Sequence, residues 1–168
     1  MFEAGAGVAG PLFIDLNRLY FSLEDGTFHC LNLASRKRLW KIKTGGFLTS
    51  QPASDEKRIF FAVSNNILFC LDKKGGDLTL WQSLSSQAPF SPAVCGDQVL
   101  AAALPNLLIA YKKKTGEYVG GFNAGEELKA AALRHDEHLL IGTYNPETLK
   151  GSLMFLKGQE SKKDLGKK

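Results

Sequence analysis

Apolar residues in this chain fall into short runs and form no helical stripes. Leu19-Tyr20-Phe21-Ser22, Ile59-Phe60-Phe61-Ala62, Val99-Leu100-Ala101-Ala102 and Leu139-Leu140-Ile141-Gly142 stand 40 residues apart each time. A second series, Phe28-His29-Cys30-Leu31, Leu68-Phe69-Cys70-Leu71 and Leu108-Ile109-Ala110-Tyr111, keeps the same 40-residue step. Its fourth member, Leu153-Met154-Phe155-Leu156, follows after 45, because Thr143 to Gly151 hold a turn-rich insertion with Asn145-Pro146. A third series runs Leu39-Trp40, Leu80-Trp81 and, in degenerate form, Tyr118-Val119. Turn signals separate the runs: Asp15-Leu16-Asn17, Glu24-Asp25-Gly26, Asp55-Glu56-Lys57, Gly96-Asp97 and Lys114-Thr115-Gly116. Short runs rich in Phe, Leu, Ile and Val between such turns read as strands. Each unit therefore holds about four.

A period near 40 with four strands per unit is the pattern of a β-propeller blade. One small twisted sheet cannot cover both of its faces. Stacking sheets around an axis covers them and leaves only short edges. The pattern predicts an all-β fold with about four blades of four antiparallel strands, over 1–158. The blades lie at about 8–46, 47–86, 87–125 and 126–158, and a Lys-rich tail at 159–168 is expected to be disordered. The fourth unit lacks an outer strand of its own, and Phe2-Glu3-Ala4 align with the end of such a strand. Three closures are open: membership of a larger seven- or eight-bladed ring cut from a longer protein, self-association with a second copy, or a four-bladed ring.

Gly5-Ala6-Gly7-Val8-Ala9-Gly10 spells G-x-G-x-x-G, and Glu24 and Asp25 stand near the distance of a ribose-binding acid. A nucleotide loop needs a strand before it and a helix after it, and neither pattern is present. In the repeat frame Phe2-Glu3-Ala4-Gly5 aligns with Ile42-Lys43-Thr44-Gly45 and Phe122-Asn123-Ala124-Gly125. Gly5 and Gly45 are thus inter-blade turn glycines, with Gly26 and Gly116 in hairpin turns. Such turns favour positive φ. Gly7 and Gly10 align with Phe47 and Ser50 and have no partner glycines.

Bulk properties change this picture little. The chain has 168 residues, 44% hydrophobic, with a formal net charge of +4. Lys162, Lys163, Lys167 and Lys168 in the tail outweigh Glu160 and Asp164, so the body is nearly balanced and carries no general nucleic-acid footprint. No run approaches a transmembrane span, and no basic-then-apolar leader is visible at the N-terminus. Cys30, Cys70 and Cys95 have no C-x-x-C spacing and form no disulfide framework. Cys30 and Cys70 share a small apolar slot that Ala110 fills in the third unit.

Candidate chemistry is sparse. His135 and His138 flank Asp136-Glu137 and are the weak candidates for metal ligands, at a position the repeat assigns to a solvated hairpin tip. Lys112-Lys113-Lys114 reads as a solvated face, or as a contact for an acidic partner or anionic headgroups. His29 stands alone, without Ser or Asp at motif spacing. Trp40 and Trp81 read as packing anchors. No catalytic or cofactor-binding residue is assigned, and no cofactor is expected.

Tyr20 to Asn32 followed by Arg38-Leu39-Trp40-Lys41-Ile42-Lys43-Thr44-Gly45-Gly46 resembles the pyrroloquinoline-quinone-type (quinoprotein-like) propeller repeat: apolar strand, D-G turn, "LYALD"-like strand, T-G turn, "LW". The resemblance covers Phe2 to about Lys157. It implies the propeller fold and two branches. One comprises quinone-dependent dehydrogenases, whose alcohol-oxidising members add an adjacent-cysteine pair, a tryptophan cofactor floor and a catalytic aspartate. None of these has a match here. The other is non-catalytic and is typified by the outer-membrane assembly lipoprotein BamB. The resemblance thus favours a protein-interaction scaffold with a protein partner and no nucleic acid. The alternatives are a dehydrogenase fragment, or a propeller joined to a larger enzyme or sensor. It also implies a periplasmic or membrane-associated setting, whereas the free cysteines suit cytoplasm equally.

Overall fold

The computed structural model describes residues 2–84, 90–135 and 138–157, apart from the side chains of Leu80, Trp81 and Leu104. The expected 159–168 tail and the Asp136-Glu137 tip lie outside the described residues. All regular structure among the described residues is β.

The first sheet holds β1 (Val8–Asp15), β2 (Arg18–Leu23), β3 (Thr27–Asn32) and β4 (Arg38–Lys43), hydrogen-bonded in that order. The second holds β5 (Ala53–Ser54), β6 (Arg58–Val63), β7 (Ile67–Asp72) and β8 (Leu78–Ser83). The third holds β9 (Ala93–Cys95), β10 (Gln98–Leu104), β11 (Leu107–Lys112) and β12 (Tyr118–Asn123). All neighbours are antiparallel.

The fourth sheet differs. β13 (Glu127–Leu128) and β14 (Leu133–His135) both pair with β15 (His138–Asn145), and β16 (Lys150–Lys157) takes its other side. β13 and β14 are therefore one inner strand in two pieces, and no fourth strand borders β16 among the described residues. The same break marks the other inner strands. β1 bulges between Ala9 and Phe13, and Leu48 bridges Val63 ahead of β5. Pro11, Pro52 and Pro92 sit at or just before the resumption of the strand, where a missing N–H costs the ladder nothing. A second irregularity recurs in register between the third and fourth strands, at Cys30/Leu31, Cys70/Leu71 and Ala110/Tyr111.

The first strands of successive sheets approach one another, β5 to β9 and β9 to β14. This is the propeller fan. Its core lies between the sheets, because alternate residues of each strand point to opposite faces. Tyr20, Phe28, Cys30 and Trp40 of the first sheet meet Ile59, Phe61, Phe69 and Leu71 of the second. Phe28 and Phe61 stack with centroids 4.0 Å apart, a geometry that adds about 0.5–1.5 kcal/mol beyond area burial. Phe60, Ala62, Leu68 and Cys70 meet Val99, Ala101 and Tyr111. Leu100, Ala102 and Leu108 meet Ile141, Met154 and Leu156.

Candidate functional site

Strand direction places the first and third hairpin turns of every unit at one end of the fan, and the second turns with the inter-sheet links at the other. The first end carries a repeated ionic seam. Lys73 Nζ donates to Asp15 Oδ2 at 2.6 Å and to the Asp55 carbonyl oxygen at 2.5 Å. The Lys73 carbonyl in turn accepts from Arg18 Nη1 and from Trp40 Nε1, the latter at 3.0 Å. One step of the repeat further on, Lys113 Nζ lies 3.0 Å from Asp55 Oδ2. Both members of each pair are mostly buried. Burial works against the Asp55 carboxylate, but hydrogen bonds from Lys113 and from the amides of Lys57 and Arg58 outweigh it and hold the group below the usual carboxylate range.

Between these tips lie two depressions. One of about 320 Å³ is lined by Arg18, Lys57, Lys73 and Lys74 together with Asp15, Glu56 and Asp72. The other, of about 560 Å³, is lined by Lys57, Arg58, Lys113, Lys114 and Arg134 together with Asp55 and Glu56. Lys57, Lys74 and Lys114 have no ion-pair partner among the described residues. The opposite end has the reverse sign: a depression of about 410 Å³ is lined by Glu126, Glu127 and Glu147. The chain thus presents a basic end and an acidic end.

Trp40 is buried at the first junction, where its indole lies against Gly76. A Cβ on Gly76 would stand 2.6 Å from Trp40 Cδ2. The Trp81 side chain lies outside the described residues. Gly5, Gly26, Gly45 and Gly116 have φ of +87°, +75°, +75° and +71°. His135 and His138 face each other across the last first-hairpin, and among the described residues no group of three His, Cys, Asp or Glu could hold a metal ion. Cys30 and Cys70 are fully buried, and burial raises both thiols, Cys70 to about 11. They act as small apolar residues and not as nucleophiles.

Two features differ from the sequence reading. Lys113 does not belong to a solvated face: its side chain is 19% exposed and its ammonium is held by Asp55. The signal was present, since Asp15 and Asp55, like Lys73 and Lys113, stand 40 apart. Gly10, although unmatched in the repeat, has φ of +79° at the bulge of β1, and a Cβ there would collide with the Leu48 carbonyl oxygen. No helix follows the glycine run; β1 begins inside it.

His29 is also better connected than its isolation in the sequence implied. Thr27 Oγ1 donates to Asp25 Oδ1 at 2.6 Å and lies 2.9 Å from His29 Nε2. The imidazole is 2% exposed, stacks on Phe21 at 5.2 Å, and leaves Nδ1 without a partner. Burial, then the positive charges of Arg38 and Lys41, hold its pKa below the ordinary value. Sealed in this way, the ring has no access to a substrate.

The repeat geometry has known counterparts. A family model described as outer membrane protein assembly factor BamB matches residues 9–142. This chain belongs to that family of PQQ-like repeat proteins. Among solved structures, BamB from Moraxella catarrhalis is similar at a TM-score of 0.72 and 13% identity, over 89% of this chain and 50% of BamB. The computationally designed Ika4 protein is similar at 0.73 and 13% identity, over 92% of this chain and 93% of Ika4. The quinohemoprotein alcohol dehydrogenase from Comamonas testosteroni is similar at 0.66 and 13% identity, over 82% of this chain and 29% of the enzyme. No curated relative matches by sequence. The chain spans about half the length of BamB.

Pyrroloquinoline quinone, which the dehydrogenase branch brings to mind, does not fit the residues present. The three cysteines are dispersed, two of them sealed between sheets.

Proposed function

We propose that this chain is a non-catalytic, protein-binding scaffold of the BamB kind, and that its basic hairpin-tip end receives acidic stretches of a partner protein. The observation that carries this reading is the pair of adjoining depressions edged by Lys57, Lys74 and Lys114, cations with no acid of their own among the described residues. Lys74 and Lys114 are equivalent residues 40 apart on neighbouring tips. An extended acidic segment crossing both tips meets a charge at each step. Charge complementarity of this sort sets orientation and association rate, and it weakens with salt.

The test is fluorescence anisotropy with a labelled oligoglutamate peptide. Binding is expected to weaken as salt rises and to be lost in the Lys74→Glu/Lys114→Glu variant, whereas an oligolysine peptide gives no signal at this end. Equal binding by wild type and variant would overturn the assignment. Tighter binding of single-stranded DNA than of the peptide would replace it with a nucleic-acid function. Under the scaffold reading, pyrroloquinoline quinone with Ca²⁺ leaves the thermal midpoint unchanged. A concentration-dependent rise would contradict the non-catalytic part.

A further inference from the structure

The repeat assigns every strand position a known environment, and the two end faces of the fan can be judged by it. Leu153 and Phe155 in β16 occupy the places of Phe28 and Cys30 in β3, Leu68 and Cys70 in β7, and Leu108 and Ala110 in β11. Phe28, Cys30, Leu68 and Cys70 are 0% exposed and Leu108 is 6%, because each packs against the next sheet. Leu153 is 71% exposed and Phe155 66%. They point away from the third sheet, since their neighbours Met154 and Leu156 face it.

At the other end, Leu19, Phe21, Leu23 and Leu31 occupy the places of Ile59, Phe61, Val63 and Leu71, the face that receives the preceding sheet. Phe2, Ala4 and Ala6 already pack there, with the Phe2 ring edge-on to Phe21 at 6.1 Å. Phe2 is the repeat equivalent of Ile42, an outer-strand residue that packs into the first junction. Phe2-Glu3-Ala4 is thus seated as the outer strand of a preceding sheet whose other strands are missing from that place. The fourth sheet has the complementary lack, an outer edge of β16 that no strand borders among the described residues. Around the seated segment, Val8, Leu12 and Ile14 of β1 remain more than half exposed.

We propose that two copies of this chain join head to tail, the open face of the fourth sheet in each docking on the first sheet of the other. Phe2-Glu3-Ala4 of each copy completes the partner copy's fourth sheet. The register follows from the repeat: Phe28 pairs with Ile42 in the first sheet, so Leu153 of one copy pairs with Phe2 of the other. Leu153 and Phe155 then cover the surface around Phe21. Two such head-to-tail junctions close a twofold-symmetric ring of eight sheets. The arc superimposes on 50% of BamB and on 45% of the designed Ika8 protein, about half of each chain. The junction is apolar where the first two inner ones each carry an ion pair, with Leu33 standing at the repeat position of Lys73 and Lys113. The proposal is independent of what the basic end binds.

The test is the solution mass of the 168-residue chain by sedimentation equilibrium. The expected species has twice the monomer mass of 18.4 kDa. Phe155→Glu, at a position already exposed in the single copy, is expected to weaken association about 100-fold with the circular dichroism spectrum unchanged. Leu78→Glu, also at an exposed position but on neither end face, leaves the mass unchanged. A chain that stays monomeric at all concentrations overturns the proposal, as does a dimer indifferent to Phe155→Glu. A Phe2→Cys/Leu153→Cys variant is expected to form, on oxidation, a disulfide between copies. A disulfide within one copy would establish a four-bladed ring instead.

Discussion

Phe28 and Leu153 hold the same place in their repeats, yet one is sealed and the other is bare. Phe28 is stacked on Phe61 and reinforced by Tyr20 and Trp40, inside a junction further fastened by Lys73 to Asp15. Leu153 lies at the same repeat position of the fourth sheet and is 71% exposed, with no further sheet against it among the described residues. The difference is one of neighbours, not of strand chemistry. A sheet of four short strands is half a structure, and its second face acquires an environment only from the next sheet. The repeat therefore writes an interface into every unit, including the unit that has no successor in the fan.

That comparison can be broken from its strong side. Phe61→Ala removes a ring that is 0% exposed and stacked at the first junction. The expected loss is about 3–5 kcal/mol in urea unfolding, whereas Phe155→Ala costs the single copy less than about 1 kcal/mol. Equal losses would mean that the first junction is not the packed seam described here. Next in size is Gly10→Ala. Positive φ and the approach of the Leu48 carbonyl both oppose a side chain, for a combined cost of about 2–3 kcal/mol. Gly96→Ala, at φ of +58° with no heavy atom within 4 Å of the added Cβ, costs about 1 kcal/mol.

The seam supplies a third contrast. Lys73→Met leaves Asp15 partly buried without its ammonium, an expected cost of about 1–3 kcal/mol, intermediate between surface and fully buried pairs. Lys112→Met removes an exposed pair with Glu117 and is expected to leave the urea midpoint unchanged, because solvent and salt screen such a pair.

The smallest effect is a pH dependence. His29 takes the place that Phe69 fills in the second sheet. Its folded pKa is depressed, so the unfolded chain binds the proton more readily. Stability is full above the unfolded value near 6.5 and falls as pH drops below it toward the folded value. His29→Phe should remove that part of the slope and stabilise the chain most at mildly acidic pH. An unchanged slope in chemical denaturation from pH 7 to pH 5 would place the titration elsewhere.

The fold was legible because one period organises it. The strand series at 40-residue spacing and the alternation within each run sufficed to give the four sheets and the buried Cys30 and Cys70 their positions. The split inner strands were harder to read. Their pieces are two or three residues long, too short for any alternation, and Gly10 is needed by a contact with Leu48, remote in sequence. Lys113 was misread for a related reason: a lysine in a turn looks solvated until an acid from the neighbouring sheet is seen beside it. The basic end could not be read from net charge, since the acidic opposite end nearly cancels it.

The central claim is that inter-sheet contact alone satisfies these sheets, and that the two end faces are unfinished halves of such a contact. Small-angle X-ray scattering of the full chain tests it most directly. The account predicts, at high concentration, the distance distribution of a closed eight-sheet ring with a central depletion, giving way to that of a four-sheet arc on dilution. A single four-sheet particle at every concentration would contradict it.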